Sequence, residues 1–222
     1  MLAWTARHKC SPNQVINITE PFSQGTVLGL KAGQHFTTIN LLYAMLIPSN
    51  NDAAVALAEG CLGSQDLAVS SMNSQAAAWK LFNTHFADVH GLDNPGNYST
   101  AHDLALMASY IMSDPTLSQI VSTSSYQIKS LDGQTYNLKS TNQLLGKFGV
   151  SGIKTGTTDF AGENFICRAS IRGHEIIAVV LGSSDRFADT KKLLLEIARI
   201  YRWQVEPGLN LLPIRSSSNT IE

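Results

Sequence analysis

Apolar positions at Leu41, Leu42, Met45 and Leu46 recur at helical spacing, which predicts a helix from Thr38 until Pro48 ends it. A polar turn, Ser49-Asn50-Asn51-Asp52, separates it from a second apolar stretch over residues 53–58. Asn51 or Asp52 can cap that second helix and Gly60 can stop it. A third helix is predicted from Ser64 towards Trp79. A fourth is predicted after Thr100, where Thr100 and Asp103 have the spacing of a capping box, and it ends before Pro115. The opening residues 2–9 read as a helix broken by Ser11-Pro12-Asn13, and residues 15–18 and 26–30 read as short strands.

Beyond Pro115 the period shortens. Residues 126–129 and 135–139 flank Asp132-Gly133, a hairpin signal. Residues 165–171 and 175–181 flank Arg172-Gly173 as a second hairpin, and its apolar second strand is expected to be central. Residues 185–203 form an amphipathic helix with Leu194, Ile197, Ala198 and Tyr201 on one face. Helices first, antiparallel strands later and a closing helix predict an α+β fold, a sheet flanked by helices. Residues 1–204 read as one domain and residues 205–222 as a polar tail, frayed from Ser216 on.

Composition narrows the partners. Hydrophobic residues are 44% of the chain and charged ones 15%, so a substantial core is available. The formal net charge of -1 gives no electrostatic reason to expect nucleic acid or an anionic membrane as partner. The apolar run at residues 176–181 is far too short for a membrane span, and the first ten residues lack the apolar core of a secretory signal. Cys10, Cys61 and Cys167 are widely spaced and odd in number, so no disulfide framework follows from them. His8 and Cys10 are a metal pair on paper only, and no cofactor is implied.

The chemistry concentrates in VSGIKTGTTDFAG, residues 150–162. Ser151 and Lys154 fit S-x-x-K, the spacing of a serine nucleophile and its base, while Lys154-Thr155-Gly156 fits K-T-G. Both readings cannot hold. Val150, Ile153 and the flanking glycines favour a strand, on which residues three apart face opposite ways. The S-x-x-K match is therefore accidental. The K-T-G reading keeps Lys154 and Gly156 on one face, and Gly156 leaves room for a ligand backbone. Ser49-Asn50-Asn51 upstream is an S-x-N triple, so hydroxyl, amide and ammonium are candidates for one cleft.

In that order and context the chain resembles the S11 serine D-Ala-D-Ala carboxypeptidases, the low-molecular-mass penicillin-binding proteins. The likeness runs from about Leu28 to Leu195, through LKAGQHFTTINLLYAMLIPSNNDAAVALAEG, THFADVHGLDNPGNYSTAHDLALMA, GVSGIKTGTTDFAGENFICRAS and IIAVVLGSSDRFADTKKLL. The resemblance implies a β-lactamase/transpeptidase-like fold and acyl transfer through a serine. The substrate it implies is a peptidoglycan stem peptide ending in D-Ala-D-Ala. It also implies that full-length relatives bind β-lactams, and a location outside the cytoplasmic membrane. Catalytic roles fall on Ser49, as proton relay, and Asn51, as donor to the acyl-side carbonyl. Substrate-binding roles fall on Lys154, Thr155, Gly156, Thr157 and Arg186: a positive field, a carboxylate contact, room, an oxyanion N–H and a carboxylate anchor.

The family's own Ser-x-x-Lys does not occur among these residues, and MLAWTAR resembles the continuation of the helix that carries it. The expectation is a chain that begins just after that lysine, without the nucleophile-helix start and the strands before it. Alone it would be inactive, with the strand edge at residues 175–181 open. The alternatives are a non-catalytic cell-wall peptide-binding homologue or a decayed gene fragment. A class A β-lactamase is disfavoured, because no Glu lies between Cys61 and Val150 to drive deacylation.

Overall fold

The sequence's two periods become two halves of one structure, a computed structural model that describes residues 1–201. The helical half begins with α1 (Leu2–Lys9). A small ribbon follows, β1 (Val15–Asn17) antiparallel to β2 (His35–Thr37), with Ile16 opposite Phe36. Next come α2 (Thr38–Leu46), α3 (Asn51–Leu62), α4 (Gln65–Ala78), α5 (Ala101–Ser113) and α6 (Pro115–Val121). The hairpin β3 (Ser125–Lys129) and β4 (Thr135–Lys139) leads to β5 (Val150–Thr158), β6 (Gly162–Ile171), β7 (His174–Ser183) and finally α7 (Arg186–Ile200).

β5, β6 and β7 form an antiparallel sheet in chain order. Alternation along β6 divides its side chains between two cores. Phe165, Cys167 and Ala169 pack with Leu194 and Phe187 of α7. Ile166 of β6 and Ile177 of β7 pack, on the other side, with Ala108, Val121 and Ile153. The sheet is thus a middle layer between α7 and the helical half. In the helical half Phe36, Leu41, Leu42, Leu57, Leu117 and Ile120 are fully buried. Each such side chain contributes about 1.5–3 kcal/mol of transfer free energy. Among the described residues no helix is long and apolar enough to cross a membrane.

Most predicted elements are present, and the differences have physical causes. Residues 26–30 form no strand, because Leu28, Gly29 and Leu30 donate their N–H groups to the Asp52 carboxylate at 3.0, 2.8 and 3.1 Å. Gly60 does not stop α3. It lies inside the helix, where an added Cβ would sit 2.6 Å from Ile16 Cγ2, and Gly63 at φ 93° ends the helix instead. The cap position falls on Asn50, without a side-chain cap bond. Thr100 caps α5 as predicted, but the Asp103 carboxylate turns to Asn83 N and Thr84 Oγ1. α6, which the sequence reading missed, follows with Asp114 as cap and Pro115 in its first turn.

Two further expectations are corrected. The strand at residues 175–181 belongs to β7, which is an edge of this sheet, and β6 is central. Cys10 and Cys61 form a disulfide, joining the C-cap of α1 to the end of α3 across 51 residues of sequence. Cys10 is therefore neither a surface residue nor half of a metal pair. Residues 205–222, read as a tail, lie outside the described residues.

Candidate active site

The turn between α2 and α3 and the strand β5 face each other across a cavity of about 580 Å³. That volume suits a small peptide or metabolite. Ser49, Asn50, Asn51 and Lys154 all line it, and so do Met1, Leu2 and Ala3 at the start of α1. α2 ends at Leu46 with Ile47 as its C-cap, and Ser49 then takes φ 66°, a left-handed conformation that non-glycine residues adopt only when their surroundings hold them there. In that conformation its hydroxyl accepts a hydrogen bond of 2.6 Å from Lys154 Nζ. Asn50, the middle residue of the triple, has φ -78°, so its side chain brings no backbone strain.

Lys154 also donates to the Thr155 carbonyl oxygen. Burial lowers its pKa from 10.5 to about 8, and the charge of Arg186 adds to the shift. Ser151 faces elsewhere: its hydroxyl accepts from Arg168 Nε at 2.9 Å. Ser151 and Lys154 are thus engaged with different partners, Arg168 and Ser49.

Asn51, the first residue of α3, uses its side-chain amide to donate to Gln24 O at 3.1 Å, while its backbone N–H donates to Thr26 O at 2.7 Å. Asp52 beside it is 2% exposed and accepts from four backbone N–H groups, those of Leu28, Gly29, Leu30 and Ala53. Among the described residues Asn50 Nδ2 has no hydrogen-bond partner, although it is buried, and it is a donor in the cavity lining that the sequence reading left without a role.

The remaining predicted residues lie on β5 and, for Arg186, at the start of α7, and none of them lines the cavity. The pleat turns Thr155 away from Lys154. Its hydroxyl lies 2.6 Å from that of Thr141, a residue no sequence signal had singled out. Gly156 and Thr157 follow, opposite Asn164 and Glu163 of β6. Arg186, at the first turn of α7, donates through Nη1 to the Gly156 carbonyl at 2.9 Å and to the Thr157 hydroxyl. Its Nε lies 3.9 Å from Glu163 Oε2. Arg186 is thus held at the end of the K-T-G strand, with Glu163 as its carboxylate neighbour. His90 is paired with Asp88 at 3.2 Å and stacked on Phe22, and Tyr98 stacks on His85, so their observed contacts are packing ones.

A model of the D-alanyl-D-alanine carboxypeptidase family, Peptidase S11, matches residues 3–185. The D-alanyl-D-alanine carboxypeptidase DacA of Escherichia coli is 37% identical over 178 residues, 78% of this chain and 43% of that protein. DacF of Bacillus subtilis is 33% identical over 174 residues, 77% of this chain and 45% of that protein. The chain therefore spans less than half the length of these curated relatives. The crystal structure of the D-alanyl-D-alanine carboxypeptidase from Mycobacterium tuberculosis is similar with a TM-score of 0.83 at 29% identity, over 91% of this chain and 80% of that one. That of a DD-transpeptidase from Streptomyces gives 0.79 at 28% identity, over 89% and 85%.

Proposed function

The chain belongs to the D-alanyl-D-alanine carboxypeptidase family, and on that premise we propose that its cleft binds peptidoglycan stem peptides ending in D-Ala-D-Ala. The observation that carries the reading is the 2.6 Å hydrogen bond from Lys154 to Ser49, which joins the S-x-N turn to the K-T-G strand. A polar junction of that kind at a largely apolar cavity supports recognition of a short peptide with an anionic end.

In the proposed roles, Lys154 supplies positive field to the cleft and holds the Ser49 hydroxyl, which relays a proton to a leaving amine. Asn51 donates to the acyl-side carbonyl. Thr155 and Arg186 meet the terminal carboxylate at the far end of β5, and the Thr157 N–H serves an oxyanion. Arg186 supports this assignment because its guanidinium already bridges Gly156 and Thr157.

The acyl-enzyme step needs a nucleophilic serine with its own lysine, and these 222 residues hold only the Ser151–Lys154 match on β5. We therefore assign to these residues binding and proton relay, without turnover by themselves. A location outside the cytoplasmic membrane belongs to the same proposal, whereas peptide hydrolysis and β-lactam acylation, which both need that serine, are not assigned to these residues.

Calorimetric titration with N-acetyl-D-Ala-D-Ala, its C-terminal amide and its L-Ala-L-Ala isomer tests the reading. Binding is expected for the first alone. Equal affinity for the amide would remove the carboxylate from the argument, and equal affinity for the L-isomer would remove the substrate class.

A further inference from the structure

Residues 22–26 have no helix or strand, yet they tie the start of α3 to the loop at residues 90–92. Phe22 stacks on His90 with ring centroids 4.8 Å apart. Gln24 accepts the Asn51 side-chain amide on its carbonyl oxygen at 3.1 Å, and Thr26 accepts the Asn51 backbone N–H at 2.7 Å. Gly25 lies between Asn51 and Leu92. It has φ 67°, and a Cβ built there would stand 2.5 Å from Asn51 Nδ2 and 3.1 Å from Leu92 Cδ2. Asn51, His90 and Gly91 all line the cavity.

A backbone carbonyl only accepts, so the end of the Asn51 side chain that faces Gln24 must be its NH₂. One N–H is thereby committed to Gln24. That fixes the plane of the amide, and with it the direction of the second N–H and of Oδ1. Asn51 needs such a hold because the side-chain amide of an asparagine otherwise turns about a broad torsion. The hold requires the backbone of residue 25 to pass against the amide, closer than any side chain permits.

We propose that residues 22–26 form a strap that positions the Asn51 amide for its ligand, with Gly25 as the residue that permits the contact. The ligand feature it serves is the amide carbonyl on the acyl side of the terminal D-Ala-D-Ala. This deepens, and for its binding arm rests on, the peptide reading of the cleft. Gly25 and Gln24 act through Asn51 and are positioning residues.

The test uses the full chain and two arms. In the first, without ligand, the Asn51 side-chain amide is followed by nitrogen–proton NMR. One Nδ2 proton is expected to exchange slowly with solvent and the other fast, and Gly25→Ala is expected to make both fast. Alike exchange of the two protons in the unaltered chain, or no change in Gly25→Ala, overturns the proposal.

In the second arm, N-acetyl-D-Ala-D-Ala is compared with D-Ala-D-Ala, which lacks the acyl-side carbonyl. Loss of one oriented hydrogen bond predicts that Gly25→Ala weakens the acetylated ligand about tenfold and the free dipeptide less than about twofold. In an Asn51→Ala background the amide that the added Cβ meets is gone and only the contact with Leu92 Cδ2 at 3.1 Å is left, so Gly25→Ala is expected to change neither affinity. Equal weakening of both ligands, or undiminished weakening in the Asn51→Ala background, overturns the proposal. If Gly25→Ala does not fold, the double variant is expected to fold. Failure of both alike places the glycine requirement in its φ of 67° and sinks the argument. A chain that binds neither dipeptide while the NMR arm holds refutes the peptide reading and leaves the strap standing.

Discussion

On the helical wall of the cleft, Asp52 and Asn51 direct their polar atoms at backbone groups. The Asp52 carboxylate gathers four N–H groups, and the Asn51 amide holds the Gln24 carbonyl. On the sheet wall, Lys154 and Arg186 bring two cations together, answered by carbonyl and hydroxyl oxygens of β5, by the Ser49 hydroxyl and by one carboxylate at 3.9 Å. The first arrangement is part of the fold, since the segment after the strap has no other partner for those three N–H groups in a strand ladder. The second opposes the fold, because burial disfavours the ammonium it holds. Damage to the helical wall should therefore lower stability and binding together, and neutralising the sheet wall should separate them.

The largest effect is expected at Asp52. Asp52→Ala leaves the N–H groups of Leu28, Gly29 and Leu30 without their acceptor in a site that is 2% exposed. A loss of about 3–5 kcal/mol follows, enough to unfold much of a marginally stable domain. Chemical denaturation followed by circular dichroism measures it. A loss below about 1 kcal/mol would mean that the segment finds other partners, and the contrast between the walls would fail.

The Cys10–Cys61 disulfide reinforces the same wall from behind. α1 and α3 both present their N-terminal ends to the cavity and are joined at their C-terminal ends, so they run side by side away from the cleft. Reduction, or Cys10→Ala with Cys61→Ala, should cost about 2–4 kcal/mol. Melting with and without reductant checks this. An unchanged melting temperature would show that packing of α1 on α3 suffices.

These two features also mark where sequence reading stops. The capping residue of α5 was legible because Thr100 and Asp103 act within four residues of each other. The glycine at Gly60 was misread because its packing partner, Ile16, lies far away in the chain. The strand expected at residues 26–30 had the right residue types, but its N–H groups go to a carboxylate rather than to a ladder. Cys10 and Cys61 carry no pairing signal that spacing could reveal. Ser49 and Lys154 were legible as a candidate pair because each sits in a contiguous triple, and the structure brings their side chains to 2.6 Å. Thr141 was not, since a lone threonine in a loop has no pattern.

On the sheet wall the expected signs diverge. Lys154→Met keeps the length of the side chain and removes the buried ammonium. Peptide affinity should fall at least about tenfold. Stability at pH 7 should rise by about 1–3 kcal/mol, the free energy that separates the two pKa values, discounted for partial solvent contact. The pH dependence follows from the direction of the shift. In the unfolded chain the lysine titrates near 10.5 and in the folded one at about 8. Below about 8 both states hold the proton and the burial cost is complete. Between about 8 and 10.5 the unfolded state binds more protons, so stability rises with pH, and above that window the cost is gone. The advantage of Lys154→Met should therefore shrink through this window, as denaturation midpoints of both proteins at pH 7 and pH 10 would reveal. A constant advantage would assign the stabilisation to packing.

The smallest effect is expected where the two walls meet. Thr141 donates its backbone N–H to Ile47 O at 3.3 Å, two residues before Ser49, and its hydroxyl lies 2.6 Å from that of Thr155. It is a strut between the turn and the strand. Thr155 is 6% exposed, so Thr141→Val leaves a buried hydroxyl without this partner while keeping nearly the same volume. The cost should be about 1 kcal/mol in stability. Thr141→Ser retains the hydroxyl and the backbone bond, and it should recover that loss. Binding separates a strut from a spacer. If Thr141 fixes the direction in which Thr155 offers its hydrogen, Thr141→Val should weaken N-acetyl-D-Ala-D-Ala about threefold to tenfold, with rescue by serine. Equal behaviour of the valine and serine variants would show that the walls are held apart by bulk alone, and the helical and sheet sides would then be independent in energy as well as in construction.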